Sequence, residues 1–138
     1  MQLFKFTGPR AAAGKILLVD DNPLRASMRT ALLERSAPAI VRALDASEAL
    51  CLVESPEFAQ ELMLVITGHT MSGISGPEFV AELRTRMPQV PVLVLSAMAD
   101  ADKEYAGISE VCVSQTSSPD ELRALVNQLV TVGERRSA

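Results

Sequence analysis

The side chains able to do chemistry in this 138-residue chain are few, and they stand where apolar runs end. Asp20 and Asp21 close the run KILLVD that begins at Lys15. A polar, glycine-bearing turn, Gly68-His69-Thr70-Met71-Ser72, follows the apolar run from Leu62 to Ile66, and Ser96 ends VPVLVLS. Ligand chemistry in open parallel sheets gathers outside the carboxyl ends of the strands, which makes these positions the candidates. His69 is the only histidine and reads as a solvated loop side chain. The hydroxyl-rich stretch Ser114 to Ser118 precedes a helix start, where backbone N–H groups can meet an anion, although turn and capping chemistry accounts for it better. No nucleophile–base pair for hydrolysis is assembled. Cys51 and Cys112 lie far apart in apolar elements and read as reduced core thiols. Met63, Met71, Met87 and Met98 read as packing residues and not as a ligand set.

The elements that must position these residues alternate. Lys15 to Asp20 predicts a first strand. Asn22 as cap and Pro23 at the first helical position open a helix to about Arg35, with Leu24, Met28, Ala31 and Leu32 as its apolar face; Asp21 is the alternative cap. Ala39 to Leu44 gives a weaker strand, followed by a helix capped by Ser47 and facing inward through Ala46, Ala49, Leu50 and Val53, which Pro56 closes. The uninterrupted apolar run from Leu62 predicts a strand buried on both faces. Gly76-Pro77 then starts a helix that turns Phe79, Val80, Leu83 and Met87 inward. Val90 to Ser96 is the strongest strand, a short helix is expected around Asp102 to Ala106, and Glu110 to Ser114 makes a fifth strand. Ser118-Pro119-Asp120-Glu121 is a capping box for a last amphipathic helix carrying Leu122, Leu125, Val126, Leu129 and Val130. Five strand–helix units predict an α/β, flavodoxin-like three-layer sandwich with a parallel five-stranded sheet, order 2-1-3-4-5, which brings Asp20, Asp21, the Gly68 turn and Ser96 to one crevice.

Length and charge narrow the function. The chain suits one core: residues 1–14 are expected to be a flexible tail, 15–132 the domain, and 133–138 a second tail. A net charge of −4, from 13 basic and 17 acidic residues, offers no footprint for nucleic acid. No apolar segment is long enough for a secretory signal or a membrane span, so a cytoplasmic protein is expected.

ILLVDDNP, MSGISGPEF, VPVLVLSA and SSPDEL, in this order and spacing, resemble the receiver domain of two-component response regulators, CheY-like in fold, over about Lys15 to Val130. In that family an aspartate at the end of strand three accepts a phosphoryl group from a histidine kinase, with Mg²⁺ held by carboxylate oxygens. The resemblance makes Asp20 and Asp21 the acidic pair, Thr70 a further metal position, and Ser96 the switch hydroxyl. It also places the acceptor on Gly68, which has no nucleophile, and the strand-five lysine on Ser114 or Gln115. The switch aromatic falls on Val111 or Cys112, with Tyr105 too early to fill it, and Ser72 replaces the proline of the turn. An acidic pair without acceptor or lysine keeps the family's formal charge of −2, which favours a long-settled atypical site.

The resemblance thus implies an atypical receiver, not an enzyme, acting in phosphorelay signalling by phosphorylation-independent protein–protein contact. No cofactor is required, and Mg²⁺ affinity should be weakened by the missing carboxylate. The expected partner is a signalling protein: a histidine kinase, a response regulator or an output protein. A mean hydropathy of +0.19 raises the further expectation of a homodimer through the fourth helix, fifth strand and fifth helix, a surface expected to be constitutive because its switch aromatic and lysine are missing. The runner-up readings are small-anion, nucleotide or flavin binding in the crevice, against which stands the lack of a Gly-rich phosphate loop after strand one, and residual Mg-dependent phosphoryl acceptance at a non-standard residue such as His69.

Overall fold

The computed structural model describes residues 14–37, 39–115 and 118–137, with the side chains of 132–137 outside the description. Five strands form one parallel sheet in the order β2-β1-β3-β4-β5: β1 (Lys15–Val19), β2 (Ala39–Ala43), β3 (Leu62–Gly68), β4 (Val92–Leu95) and β5 (Val111–Ser114). The helices between them are α1 (Pro23–Leu33), α2 (Ala46–Val53), α3 (Pro56–Glu61), α4 (Gly76–Arg86) and α5 (Pro119–Ser137), with a 3₁₀ turn at Ala101–Tyr105 between β4 and β5.

Strand side chains alternate between the two faces, and both faces are covered. Ile16, Leu18, Leu64, Ile66 and Leu93 pack against Ala26 and Leu33 of α1 and Leu122, Val126 and Val130 of α5. Leu17, Val19, Val65, Val92 and Val94 pack against Ala46, Ala49 and Val53 of α2, Phe79, Val80 and Leu83 of α4, and Tyr105. This double burial is why β1, β3 and β4 read as unbroken apolar runs. The edge strand β5 is only half-buried, because the chain covers it with one 3₁₀ turn where a helix was expected.

Several expectations are corrected. The cap of α2 is Asp45, whose carboxylate accepts from the Glu48 amide at 2.8 Å, and not Ser47. Pro56 opens the extra helix α3, since proline suits a first helical position, and does not simply close α2. The backbone of Gly133–Ser137 is helical instead of a loose tail, as glycine costs only about 1 kcal/mol in a helix and Glu134, Arg135 and Arg136 favour one. Residues 1–13 of the expected N-terminal tail lie outside the described residues, while Gly14 is buried against Met63. Cys51 is exposed, on the side of α2 away from Ala46, Ala49 and Val53, and Cys112 is half-buried; neither is a full core thiol.

Helix α1 differs most in meaning. Its buried residues are Ala26 and Leu33, whereas Leu24 and Met28 of the expected apolar face are 72% and 65% exposed. The helix is turned about its axis so that Arg25 and Arg29 reach back to Asp20.

Candidate functional site

The carboxyl ends of β1, β3 and β4 bring Asp20, Gly68 and Ser96 to one edge, as the strand order requires. Asn22 caps α1, its side chain accepting from the Arg25 amide at 2.9 Å, and this start of the helix places arginines one turn apart above Asp20.

Asp20 is enclosed, its side chain 0% exposed. Arg25 donates to both of its oxygens, Nε at 3.1 and 3.0 Å and Nη2 at 2.8 Å, and Arg29 Nη1 donates to Oδ2 at 2.9 Å. The Asn22 amide adds a bond of 3.0 Å, and Arg42 Nε donates to the Asp20 carbonyl at 3.0 Å. Burial alone would push this carboxyl up; the Arg25 and Asn22 bonds and the charges of Arg25 and Arg29 outweigh it and hold it below the usual range. Bonding to Asp20 raises Arg25, while burial lowers Arg29, yet a guanidinium this basic stays protonated at neutral pH. Asp21 is half exposed, taking Arg25 Nη2 at 3.3 Å and the Ser72 hydroxyl at 2.8 Å.

This donor set does not fit a hard divalent cation. Both Asp20 oxygens already accept charged donors, and a cation there would have to displace two guanidinium groups. Among the described residues no group of three or more His, Cys, Asp or Glu is placed to hold a metal. The formal charge of −2 read from Asp20 and Asp21 alone is corrected with it, because Arg25, Arg29 and Arg42 surround the same point.

Gly68 ends β3 and pairs with Leu95 of β4. A Cβ built on it would meet only ordinary contacts, the nearest being the Thr70 carbonyl at 3.4 Å, so the backbone there has room for a side chain it lacks. Ser96 accepts from the Met98 amide at 2.9 Å, which ties its hydroxyl into the local turn. Gln115 Nε2 donates to the Ala97 carbonyl at 3.3 Å, and Ser114 closes β5 opposite Leu95. Thr70 is exposed. A cavity of about 660 Å³ joins these parts, and Gly68, Thr70, Ser96, Gln115, Arg25 and Arg29 contribute its polar lining. Met28, Leu32, Leu95, Met98 and Leu122 contribute its apolar lining.

His69 is not a solvated loop residue. It is 8% exposed; Nδ1 lies 2.8 Å from the Tyr105 hydroxyl and Nε2 3.2 Å from Glu104. Tyr105, reaching in from the 3₁₀ turn, packs edge-on to the imidazole, and burial with the nearby Glu104 charge pushes its phenol up to about 12. Gly76 makes the fit possible, since any Cβ there would overlap the Tyr105 hydroxyl and stand 2.8 Å from the His69 carbonyl.

Sequence reasoning missed both Arg25–Arg29–Asp20 and His69–Tyr105. The first had a signal: two arginines four apart at the start of a helix that directly follows the acidic pair. The second had none, because it depends on how the β4–β5 connection folds back.

Fold and cleft together define a doubly wound α/β domain with its chemistry at the switch point between β1 and β3. The family described as response regulator receiver domain matches residues 16–127. This chain belongs to that family, and is by that membership a signalling domain of the two-component type. It is 32% identical to response regulator protein FleR of Pseudomonas aeruginosa over 117 residues, covering 83% of this chain and 24% of that protein. The hydrogenase transcriptional regulatory protein HoxA of Cupriavidus necator is 30% identical over 125 residues, again 83% of this chain and 24% of the relative. The chain thus spans about a quarter of the length of these curated relatives. A signal receiver domain of an HD domain-containing protein from Pseudomonas fluorescens Pf-5 shares the fold at TM-score 0.76 and 23% identity, over 88% of this chain and 98% of that one. TrrA of Thermotoga maritima, a response regulator solved with Mg²⁺ and BeF, is 29% identical at TM-score 0.68, over 84% and 98%. Receiver domains work by contact with kinases and other signalling or output proteins, and no described helix is long and apolar enough to cross a membrane.

Proposed function

We propose that this chain is an atypical receiver domain that takes no phosphoryl group at the usual position and signals through phosphorylation-independent protein contacts, in the cytoplasm. The observation that carries this reading is the exchange at the site: Gly68 brings no carboxylate, and Arg25 and Arg29 occupy the Asp20 oxygens that a phosphoryl-transfer metal would need. His69 does not supply a substitute, because its imidazole is buried and bonded on both nitrogens. Ser96 keeps the switch position without a phosphoryl oxygen to follow.

The partner is a signalling protein, whether a kinase, a response regulator or an output module. The homodimer expected across the fourth helix, β5 and α5 has less to build on than the sequence suggested. The 3₁₀ turn replaces that helix, and of the large exposed apolar side chains among the described residues Leu24, Met28 and Leu44 lie on other elements, with only Met98 beside that turn.

Incubation with acetyl phosphate and Mg²⁺, followed by intact-protein mass measurement, tests the reading. An unchanged mass is expected. A stoichiometric, acid-stable and base-labile adduct on a carboxylate would defeat it.

A further inference from the structure

We propose that the cleft beyond β3 binds a small organic anion with an apolar body, a carboxylate, sulfonate or phosphate ester on an aromatic or acyl frame, in place of a divalent cation. The inference rests on the proposed loss of the phosphoryl-accepting role at Gly68.

Charge sets the sign of the ligand. The charged side chains that line the cavity are Arg25 and Arg29, both positive, while Asp20 is enclosed beneath them and Asp21 does not line it. A site of that sign repels Mg²⁺ and attracts an anion.

Donors are also left over. Arg29 spends only Nη1 on Asp20, and its Nε and Nη2 have no partner among the described residues, although the side chain is only 23% exposed. An N–H fork on a cavity wall suits two oxygens of one anionic group. Thr70 adds a hydroxyl that bonds to no described residue. The missing side chain at Gly68 leaves space beside them, since the nearest atom to a Cβ there is 3.4 Å away.

The apolar lining sets the body of the ligand. Met28 and Met98, 65% and 52% exposed, stand with Leu32 and Leu95 along the same cavity. Its volume, about 660 Å³, lies in the range of small-molecule sites. Inorganic phosphate would use the arginine and leave this lining wet; a neutral apolar molecule would leave the Arg29 fork unmet.

The test titrates the 138-residue chain with naphthalene sulfonate and follows amide and arginine Nε resonances. Saturable shifts are expected at Gly68–Thr70, at Ser96–Met98 and at Arg29 Nε. The neutral naphthalene sulfonamide and the variant Arg29→Gln should each bind roughly tenfold more weakly or worse. Because Arg29→Gln also removes a bond to Asp20, Gly68→Asp serves as a second variant. It places a carboxylate in open space, and should abolish sulfonate binding while the rest of the amide spectrum stays folded. Absence of saturable shifts, equal binding of the sulfonamide, undiminished binding by folded Gly68→Asp, or Mg²⁺ saturating the same amides would overturn the proposal. Failure to bind sulfonate by a protein that acetyl phosphate leaves unlabelled overturns this inference alone, whereas labelling overturns the proposed function as well.

Discussion

Asp20 shows how one residue's surroundings decide what a site can hold. Its carboxyl is buried, which by itself raises its proton affinity, but the bonds and charges around it win and lower the value below the ordinary 3.8. The unfolded chain therefore binds its proton first as pH falls. The stability this group contributes is complete above 3.8 and is lost as pH drops through the lower folded-state value. Chemical unfolding measured from about pH 5 down to about pH 2 should show that loss, and Asp20→Asn should flatten it while costing about 2 kcal/mol at neutral pH. A variant as steep as the parent would count against the assignment. Tyr105, the only tyrosine, gives a second reading. Burial, then the Glu104 charge, moves it from 10.0 to about 12, so the fold favours the neutral phenol and loses stability as pH climbs from 10.0 through about 12. Near-ultraviolet phenolate absorbance should titrate about two units higher in native than in denatured protein; coincident curves would contradict the buried pair with His69. Of the candidate residues, Asp20, Gly68 and Ser96 were legible because strand order alone brings strand ends together. The arginine cap and the histidine contact were not, since which way a helix rolls, or where a loop folds back, is settled by tertiary partners.

At the level of elements, the strands were readable because burial on both faces leaves long apolar runs, α4 because a proline and an apolar stripe agree, and α5 because a capping box joins them. The roll of α1 was misread: its sequence offers an apolar stripe at Leu24, Met28 and Leu32, but two ion pairs to an enclosed carboxylate outweigh the exposure of two apolar side chains. The connection before β5 is held by a device that no periodicity announces. Arg84 of α4 reaches across it, Nε donating to the Ser109 carbonyl at 2.8 Å and Nη2 to the Glu110 carbonyl at 3.0 Å, while Nη1 closes the end of its own helix at Met87, 2.9 Å away. Since β5 has only a 3₁₀ turn outside it, this clamp substitutes for packing. Arg84→Ala should cost about 2 kcal/mol locally, so hydrogen exchange of the Val111–Ser114 amides should speed up about thirtyfold. Amides of β1 and β3, buried at the centre of the sheet, should keep their rates. Uniform acceleration across the sheet would mean that the arginine supports the whole domain and not its edge.

The whole molecule keeps the receiver scaffold and its core, and under the proposed function its switch inputs are exchanged. Sheet order, double burial and the placing of strand ends follow the family, yet the active edge now carries an internal guanidinium cap where the family's chemistry uses an external cation. Coupling follows from what the ends of the domain can feel. In a receiver that binds Mg²⁺ and a phosphoryl mimic, ligand free energy is added to folding free energy by mass action, about 2.7 kcal/mol at one hundred times the dissociation constant. For a domain of this size that corresponds to a rise in melting temperature of roughly 10 °C. Here the Asp20 oxygens are already satisfied and Gly68 offers no carboxylate to complete the mimic's coordination. Millimolar Mg²⁺ with beryllofluoride, the ligand pair held by TrrA, should therefore move the melting temperature by less than about 1 °C, as read by far-ultraviolet circular dichroism. Arg25→Ala/Arg29→Ala should remain without a beryllofluoride response, because freeing Asp20 restores a metal ligand but no acceptor. A saturable rise of several degrees in the parent protein would show that the guanidinium groups yield to the cation, and that the cap is a gate on the old chemistry instead of its replacement.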